Sequence, residues 1–219
     1  SCSSKICKLT FDKYEYVKFI NSLNLKTAKQ FYIKKGEDYN VDDILKKTGI
    51  PCFVKPNKSG SSFGISKVTS KDFLNEKINY AFQEGNEVLV ESFLDGKEIS
   101  VGVINIDGER TILPITEIIS KNEFFDFDAK YNGQSDEITP ANLTTDELND
   151  IHKMINTIYD NINLSGITRS EIILVNKVPY LLETNTIPGF TKQSIVPQQI
   201  KAAGLSINEI IESQIKSLL

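Results

Sequence analysis

Two stretches carry carboxylates where a strand built only for a core would carry valine or isoleucine. They are Thr168-Arg169-Ser170-Glu171-Ile172-Ile173-Leu174 and Tyr180-Leu181-Leu182-Glu183-Thr184-Asn185-Thr186, the second running on into Ile187-Pro188-Gly189-Phe190. Side chains alternate faces along a strand, so Arg169 and Glu171 share one face, as do Leu181, Glu183 and Asn185. The short link between the runs makes a hairpin. Parity then constrains its turn: a two-residue loop at Asn176-Lys177 sets Glu171 opposite Leu182, whereas a three-residue loop, Asn176 to Val178, or a five-residue one sets it opposite Glu183. Facing carboxylates with an Asn amide oxygen nearby form an all-oxygen cluster. Hard ions such as Mg²⁺ prefer that donor set, usually with nucleotide phosphates completing the shell. A solvated hairpin face would account for the same carboxylates.

Anion-binding features lie upstream. Asp12 can cap a helix reaching about Leu23, which puts Lys13 in its first turn, where a positive charge opposes the macrodipole unless an anion is present. Pro51 to Pro56 reads as a buried strand ending at Lys55, and it runs into Asn57-Lys58-Ser59-Gly60-Ser61-Ser62-Phe63-Gly64. Free backbone N–H groups and hydroxyls in such a loop suit phosphate oxygens. No Gly-Lys-Ser/Thr follows, so the P-loop pattern is absent, and an exposed lysine with an ordinary turn is the plainer account.

The elements that must position these groups follow from periodicity. Strands are expected at Phe31-Tyr32-Ile33, Glu87 to Leu94, Glu98 to Val103 and Thr111 to Ile119. Helices are expected at Asp43 to Lys47, closed by Gly49, and at Lys71 to Gln83. In the strand Glu98 to Val103, Glu98 and Ser100 take the face opposite Ile99, Val101 and Val103, and Asp95-Gly96 before it reads as a hinge. The aromatic, mixed-charge segment from Asn122 to Pro140 has no clean period, as an active-site lid would not. Thr144 and Glu147 form a capping box before a helix with Leu148, Ile151, Met154, Ile155, Ile158 and Ile162 on one stripe. Ser206 and Glu209 cap a last helix expected to bury Ile207, Ile210, Ile211, Ile215, Leu218 and Leu219.

The 219 residues suffice for one large or two small domains. With 25 basic against 29 acidic residues, the balance argues against general nucleic-acid binding. Cys2, Cys7 and Cys52 lack metal-type spacing and suggest free thiols in a reducing compartment. A triad mechanism would hang on His152, the single histidine, inside an expected helix. No apolar run reaches the roughly 18–20 residues of a membrane span, and no signal peptide is visible, so a soluble, cytoplasmic protein is expected. The opening Ser1-Cys2-Ser3-Ser4, without an initiator Met, reads as the interior of a longer protein.

Taken in order, Phe11-Asp12-Lys13, Val54-Lys55-Pro56 with Gly60-Ser61-Ser62, Glu91-Ser92-Phe93-Leu94 with Glu98, Ala129-Lys130-Tyr131, Arg169-Ser170-Glu171 and Glu183 to Phe190 resemble the D-alanine:D-alanine ligase family of the ATP-grasp superfamily. The likeness covers nearly the whole chain and leaves out the family's N-terminal domain. It implies an α+β, ATP-grasp fold, with a central subdomain over residues 1–91 and a C-terminal one over 92–219, gripping ATP between two antiparallel sheets. By the same resemblance, Lys13 and Lys55 contact the phosphates, and the Gly60 to Ser62 loop closes over them. Glu91, Phe93 and Leu94 hold adenine, Glu98 takes the ribose, and Ile173 and Leu182 pack on the base. Glu171, Glu183 and Asn185 ligate two Mg²⁺ ions, with Mn²⁺ as a substitute.

The implied chemistry is attack of one D-alanine carboxylate on the γ-phosphate, then displacement of phosphate by the amine of a second D-alanine. The dipeptide would serve peptidoglycan precursors. Arg169 and the Gly189 amide would stabilise the oxyanion, Lys130 and Tyr131 would close the site, Ser61 would orient the first substrate, and Ser194 would bind the second's carboxylate. A neutral phenol at Tyr131 favours an amine, whereas a cation there would favour a hydroxy acid. The implied partners are ATP and D-amino acids, with neither nucleic acid nor membrane, and a homodimer is left open for a full-length protein. Two departures stand out: Glu171 where the family carries Asp, and Ser170 where an apolar residue is usual. The alternatives are a D-lactate or D-serine ligase and a nucleotide-binding module without catalysis.

Overall fold

The computed structural model of the chain describes residues 2–120 and 135–216. Every pairing between its strands is antiparallel, and the strands sort into two sheets. Four strands form the first, in the order β1 (Gln30–Lys34), β4 (Glu87–Ser92), β2 (Cys52–Pro56) and β3 (Ser66–Val68). Cys52 and Val54 of β2 and Val88 and Val90 of β4 are fully buried against Ile44 of α3 (Val41–Thr48) and against Leu74 and Ile78 of α4 (Leu74–Ala81). Burying a Val side chain is worth about 1.5–3 kcal/mol. That sum fixes which face meets the helices, and the period of two sends Phe53, Lys55 and Glu91 to the other face.

The second sheet follows β10 (Val178–Asn185), β9 (Thr168–Val175), β5 (Lys97–Ile106), β7 (Thr116–Ser120) and β8 (Ser135–Ile138), with β6 (Glu109–Ile112) paired to β5. Behind it α5 (Thr145–Ile162), entered through the expected capping box, packs Ile151, Met154, Ile155 and Ile158 on Ile99, Val101, Val103 and Ile172. The same core takes Cys2, and Tyr16 and Ile20 of α2 (Lys13–Ser22). Preceding it is α1 (Ser4–Phe11), a helix with no counterpart in the expected elements, whose cap is the Ser3 hydroxyl. On the opposite face, Val196 and Ile200 of α6 (Ile195–Ala202) and Ile210 of α7 (Ile207–Lys216) pack on Ile104 and Leu113.

The hairpin that carries the carboxylates departs from its expected parity. Its turn is the two-residue one, with φ of 50° at Asn176 and 68° at Lys177, as a I′ turn requires. A regular ladder would then oppose Glu171 and Leu182. Instead Leu181 pairs with Ile172 and Glu183 with Glu171, which leaves Leu182 as the extra residue of a β-bulge. Leu181 therefore does not share a face with Glu183 and Asn185. It is 1% exposed in the core, while Leu182 and Glu183 both turn to the cleft.

Other expectations need smaller corrections. The strand foreseen from Thr111 to Ile119 is two strands, because Pro114 lacks the N–H that a continuing ladder needs. The helix from Lys71 starts as a 3-10 turn, Lys71–Phe73, and its α-helical part ends at Ala81. In α7 only Ile210 of the foreseen stripe is buried, and Ile207, Ile211 and Ile215 are exposed. The inward contact includes Ser213, whose Oγ accepts from the Asp107 N–H at 2.8 Å, and this turns the isoleucine row outward. Leu218 and Leu219 lie outside the described residues, as do positions 122–134 of the expected lid.

Candidate active site

Two cavities lie side by side. The first, about 510 Å³, is walled by Phe53 and Lys55 of β2, the 92–96 linker, Glu98, Glu171 and Ile173 of the second sheet, and Leu182 with Glu183 of the bulge. The second, about 650 Å³, is bordered by Arg169, Asn185, Gly189 and Ser194. Lys13, Ser59, Gly60, Ser61 and Glu183 line both. The bulge is what lets two consecutive residues, one apolar and one charged, face the first cavity. Glu91, Phe93, Leu94 and Ser62 also line it. Their linker can cross β9 only because residue 96 is glycine: a Cβ there would stand 2.2 Å from the Leu174 carbonyl oxygen.

Charge is paired along the shared wall. Lys55 Nζ lies 2.6 Å from Glu91 Oε2, with side chains only 10% and 8% exposed, and Gln30 Nε2 donates to the other Glu91 oxygen at 2.5 Å. Lys13 Nζ donates to Ser59 O at 2.8 Å and sits 3.8 Å from Glu183 Oε2, so the first turn of α2 meets a carboxylate. Above it, Ser61 and Ser62 hold left-handed φ of 51° and 60°, each a non-glycine strain of roughly 1–3 kcal/mol that turns the loop over the wall.

Arg169 Nε approaches Glu171 Oε1 to 2.6 Å, near enough for charge pairing although the two are not aligned as a hydrogen bond. Both Glu171 oxygens are buried and accept no hydrogen bond among the described residues. Such a carboxylate is costly unless a cation meets it. With Glu183 directly across the ladder and Asn185 two residues on, the donor set fits a hard divalent ion. Asn185 Oδ1 accepts the Ile187 N–H at 3.0 Å and keeps a second lone pair. Among the described residues no three His, Cys, Asp or Glu side chains form a ready cage, so these three residues would supply only part of an ion's shell.

Behind the ladder, the departure at Ser170 has a partner. Tyr16 OH donates to Thr184 Oγ1 at 2.7 Å, and Thr184 Oγ1 lies 2.9 Å from Ser170 Oγ, across the strand pair that follows Glu171 and Glu183. This hydroxyl chain ties α2 to the hairpin. On the first sheet's side, Asn57, 1% exposed, donates to Asp12 Oδ1 and Glu87 Oε2 and accepts from Tyr14 N–H, while Lys58 pairs with both acids. The Lys58 and Asn57 bonds hold the Glu87 carboxyl below its ordinary range. Both sheets thus grip α2, which carries Lys13.

In the second cavity a Cβ at Gly189 would stand 3.0 Å from Ser194 Oγ, and that hydroxyl accepts from Thr191 N–H at 3.1 Å at the start of α6. Lys130 and Tyr131 lie outside the described residues. His152 is exposed on α5 and lines neither cavity. Among the lining residues that the sequence reading did not single out is Glu137 of β8, whose carboxyl burial pushes above the ordinary glutamate value. No period marked it, because β8 is short and follows an irregular stretch.

A family profile described as "D-ala D-ala ligase C-terminus" matches residues 19–216. The D-alanine–D-alanine ligase of Flavobacterium johnsoniae is 48% identical over 216 residues, covering 99% of this chain and 67% of that protein. That of Parabacteroides distasonis is 41% identical, covering 99% and 67%. Among solved structures, D-alanine–D-alanine ligase from Bacillus anthracis complexed with ATP aligns with a TM-score of 0.79 at 28% identity, over 95% of this chain and 67% of that one. VanG D-Ala:D-Ser ligase from Enterococcus faecalis aligns with a TM-score of 0.79 at 31% identity, over 95% and 61%. The chain thus spans about two thirds of the length of these relatives. With the profile running from α2 to α7 through both sheets, the chain belongs to the D-alanine–D-alanine ligase family, as the C-terminal, ATP-grasp region of its members.

Proposed function

We propose that the chain binds ATP with Mg²⁺ in the first cavity and, as part of a ligase, activates the carboxylate of D-alanine in the second for attack by the amine of another D-alanine. The observation that carries this reading is the shared wall: Lys13, Ser59 to Ser61 and Glu183 border both cavities. A terminal phosphate reaching that wall from one side would meet a substrate carboxylate arriving from the other. Both volumes fall within the 300–1,000 Å³ usual for small-molecule sites.

In this reading residues 1–91 and 92–219 are the two subdomains that close on the nucleotide. Adenine lies between Ile173 and Leu182 along the Glu91, Phe93 and Leu94 segment, and Glu98 takes the ribose. Lys13, Lys55 and Ser62 hold the phosphates. Mg²⁺ held by Glu171, Glu183 and Asn185 would neutralise charge on the phosphates. Ser61 orients the first D-alanine, whose carboxylate oxygen bonds to the γ-phosphorus as ADP leaves. Arg169 and the Gly189 N–H face the oxyanion that forms when the second amine attacks the acyl carbon. Phosphate then departs and carries off the proton that the amine gives up. Ser194 takes the second carboxylate, and Lys130 with Tyr131 exclude water. The product would be a cytoplasmic dipeptide for cell-wall precursors. The 31% identity to a D-Ala:D-Ser ligase makes D-serine the alternative second substrate.

The test is ATP titration by calorimetry with and without Mg²⁺, followed by phosphate release with D-alanine on the longest natural polypeptide containing these residues. Saturable, Mg²⁺-dependent binding and D-alanine-dependent release are expected. ATP binding without such release would leave the non-catalytic module as the correct reading.

A further inference from the structure

Glu137 belongs to none of the motifs that carry the family resemblance, yet among the described residues it is the one carboxylate lining the second cavity without bordering the first. Its orientation follows from register. Ile173, Glu98, Ile118 and Glu137 stand opposite one another across β9, β5, β7 and β8, and the first three line the cleft. Glu137 continues that row at the sheet's edge.

The carboxylate is held from α6. Gln198 Nε2 donates to Glu137 Oε2 at 2.8 Å and to Gln193 O at 2.9 Å, which fixes the amide and, through it, the acid. Gln198 is the hydrogen-bond donor to Glu137 among the described residues, whereas a carboxylate can accept about four such bonds. Ser194, the N-cap, stands four residues earlier on the same side of the helix, about 6 Å along its axis. One face of α6 therefore presents a hydroxyl at the helix start and, one turn on, an anchored anion. An α-amino acid has the matching pair of charges on one carbon: a carboxylate for the first position, an ammonium for the second.

We infer that Glu137 docks the ammonium of the attacking amino acid while the start of α6 takes its carboxylate. This rests on the ligase reading and adds a specificity-determining residue to it. Arg169 and Glu171 also act electrostatically on Glu137, so the acid lies beside the proposed reaction centre. A hydroxy acid has no ammonium to offer and gains nothing from Glu137. The residue thereby distinguishes amine from hydroxyl nucleophiles.

Glu137→Gln keeps the length and an acceptor for Gln198 while removing the charge. The test compares this variant with wild type in two assays on the longest natural polypeptide containing the chain. One traps the activated first D-alanine with hydroxylamine; the other follows dipeptide formation against D-alanine or depsipeptide formation against D-lactate. The expected result is a KM for the attacking D-alanine raised about tenfold or more, the loss of one charge-assisted hydrogen bond, with hydroxamate formation and D-lactate usage close to wild type. Glu137→Asp should recover part of the loss. Unchanged D-alanine kinetics in Glu137→Gln, or equal losses with D-alanine and D-lactate, overturn the inference. No hydroxamate from wild type overturns the ligase reading beneath it. Should Glu137→Gln fail to fold, Gln198→Leu, which frees the acid from its anchor, is expected to raise the same KM to a lesser degree, and an unchanged KM there also overturns the inference.

Discussion

The Lys55–Glu91 pair is expected to do two separable things, and a double-mutant cycle divides them. At an effective dielectric of about 20, unit charges 2.6 Å apart attract by about 6 kcal/mol. With side chains 10% and 8% exposed, each ion also loses several kcal/mol of hydration, so the attraction mostly offsets desolvation. Lys55→Met removes the attraction and leaves Glu91 buried as an unpaired anion, with the Gln30 amide as its remaining donor. That variant should lose about 3–5 kcal/mol of stability. Glu91→Gln made together with Lys55→Met removes the stranded charge and should recover much of the loss, giving a coupling of about 2–3 kcal/mol. Urea unfolding of the four proteins measures this. Calorimetric titration with ADP and Mg²⁺ measures the second role: affinity should fall by about 1.5–3 kcal/mol in Lys55→Met and stay low in the double variant, because no amide replaces an ammonium at phosphate. Stability losses additive within about 0.5 kcal/mol would refute the buried-pair argument. Recovery of ADP affinity in the double variant would refute the role of Lys55 at the phosphates.

Three further outcomes are expected. Glu183→Gln should abolish the Mg²⁺-dependent gain in ADP affinity, while its stability cost in urea stays below about 1 kcal/mol, since the carboxylate is 34% exposed and its Lys13 contact is long. Gly96→Ala forces a Cβ to within 2.2 Å of Leu174 O, so a fall in Tm together with weakened ADP binding is expected; an unchanged Tm would show that the linker moves freely. Glu87, lowered by Lys58 and then Asn57, contributes stability that is present above its ordinary value and lost as pH falls through the depressed one. Urea unfolding from pH 7 to 3 should therefore show a shallower acid loss in Glu87→Gln than in wild type.

What the sequence disclosed was governed by local rules. The alternation of Arg169 and Glu171, the Asp12 cap and the Thr144–Glu147 box each need only neighbours, and each stands as read. The opposition of Glu171 and Glu183 was legible as an option, but the bulge behind it was not, because the skipped place of Leu182 is a matter of register between two strands and not of its own residue type. Helix α7 shows the converse: its isoleucines have helical spacing, yet burial depends on what lies opposite, and Ser213 took the inward place. Glu137 was hidden because a four-residue strand offers too little period to reveal a face.

The bulge at Leu182 also changes what a lost codon would do. In most strands, deleting one residue throws everything beyond it onto the wrong side. Here the extra residue already breaks the count, so removing Leu182 would bring Glu183 into the place where a regular two-residue hairpin wants a partner for Glu171. Thr184 would keep Ser170, and Asn185 would keep Arg169. The shortened hairpin would hold its charged half in frame and forfeit only the apolar side chain against the first cavity. At this one point the molecule should forgive a deletion more readily than elsewhere along β10, because every pair beyond it keeps its partner.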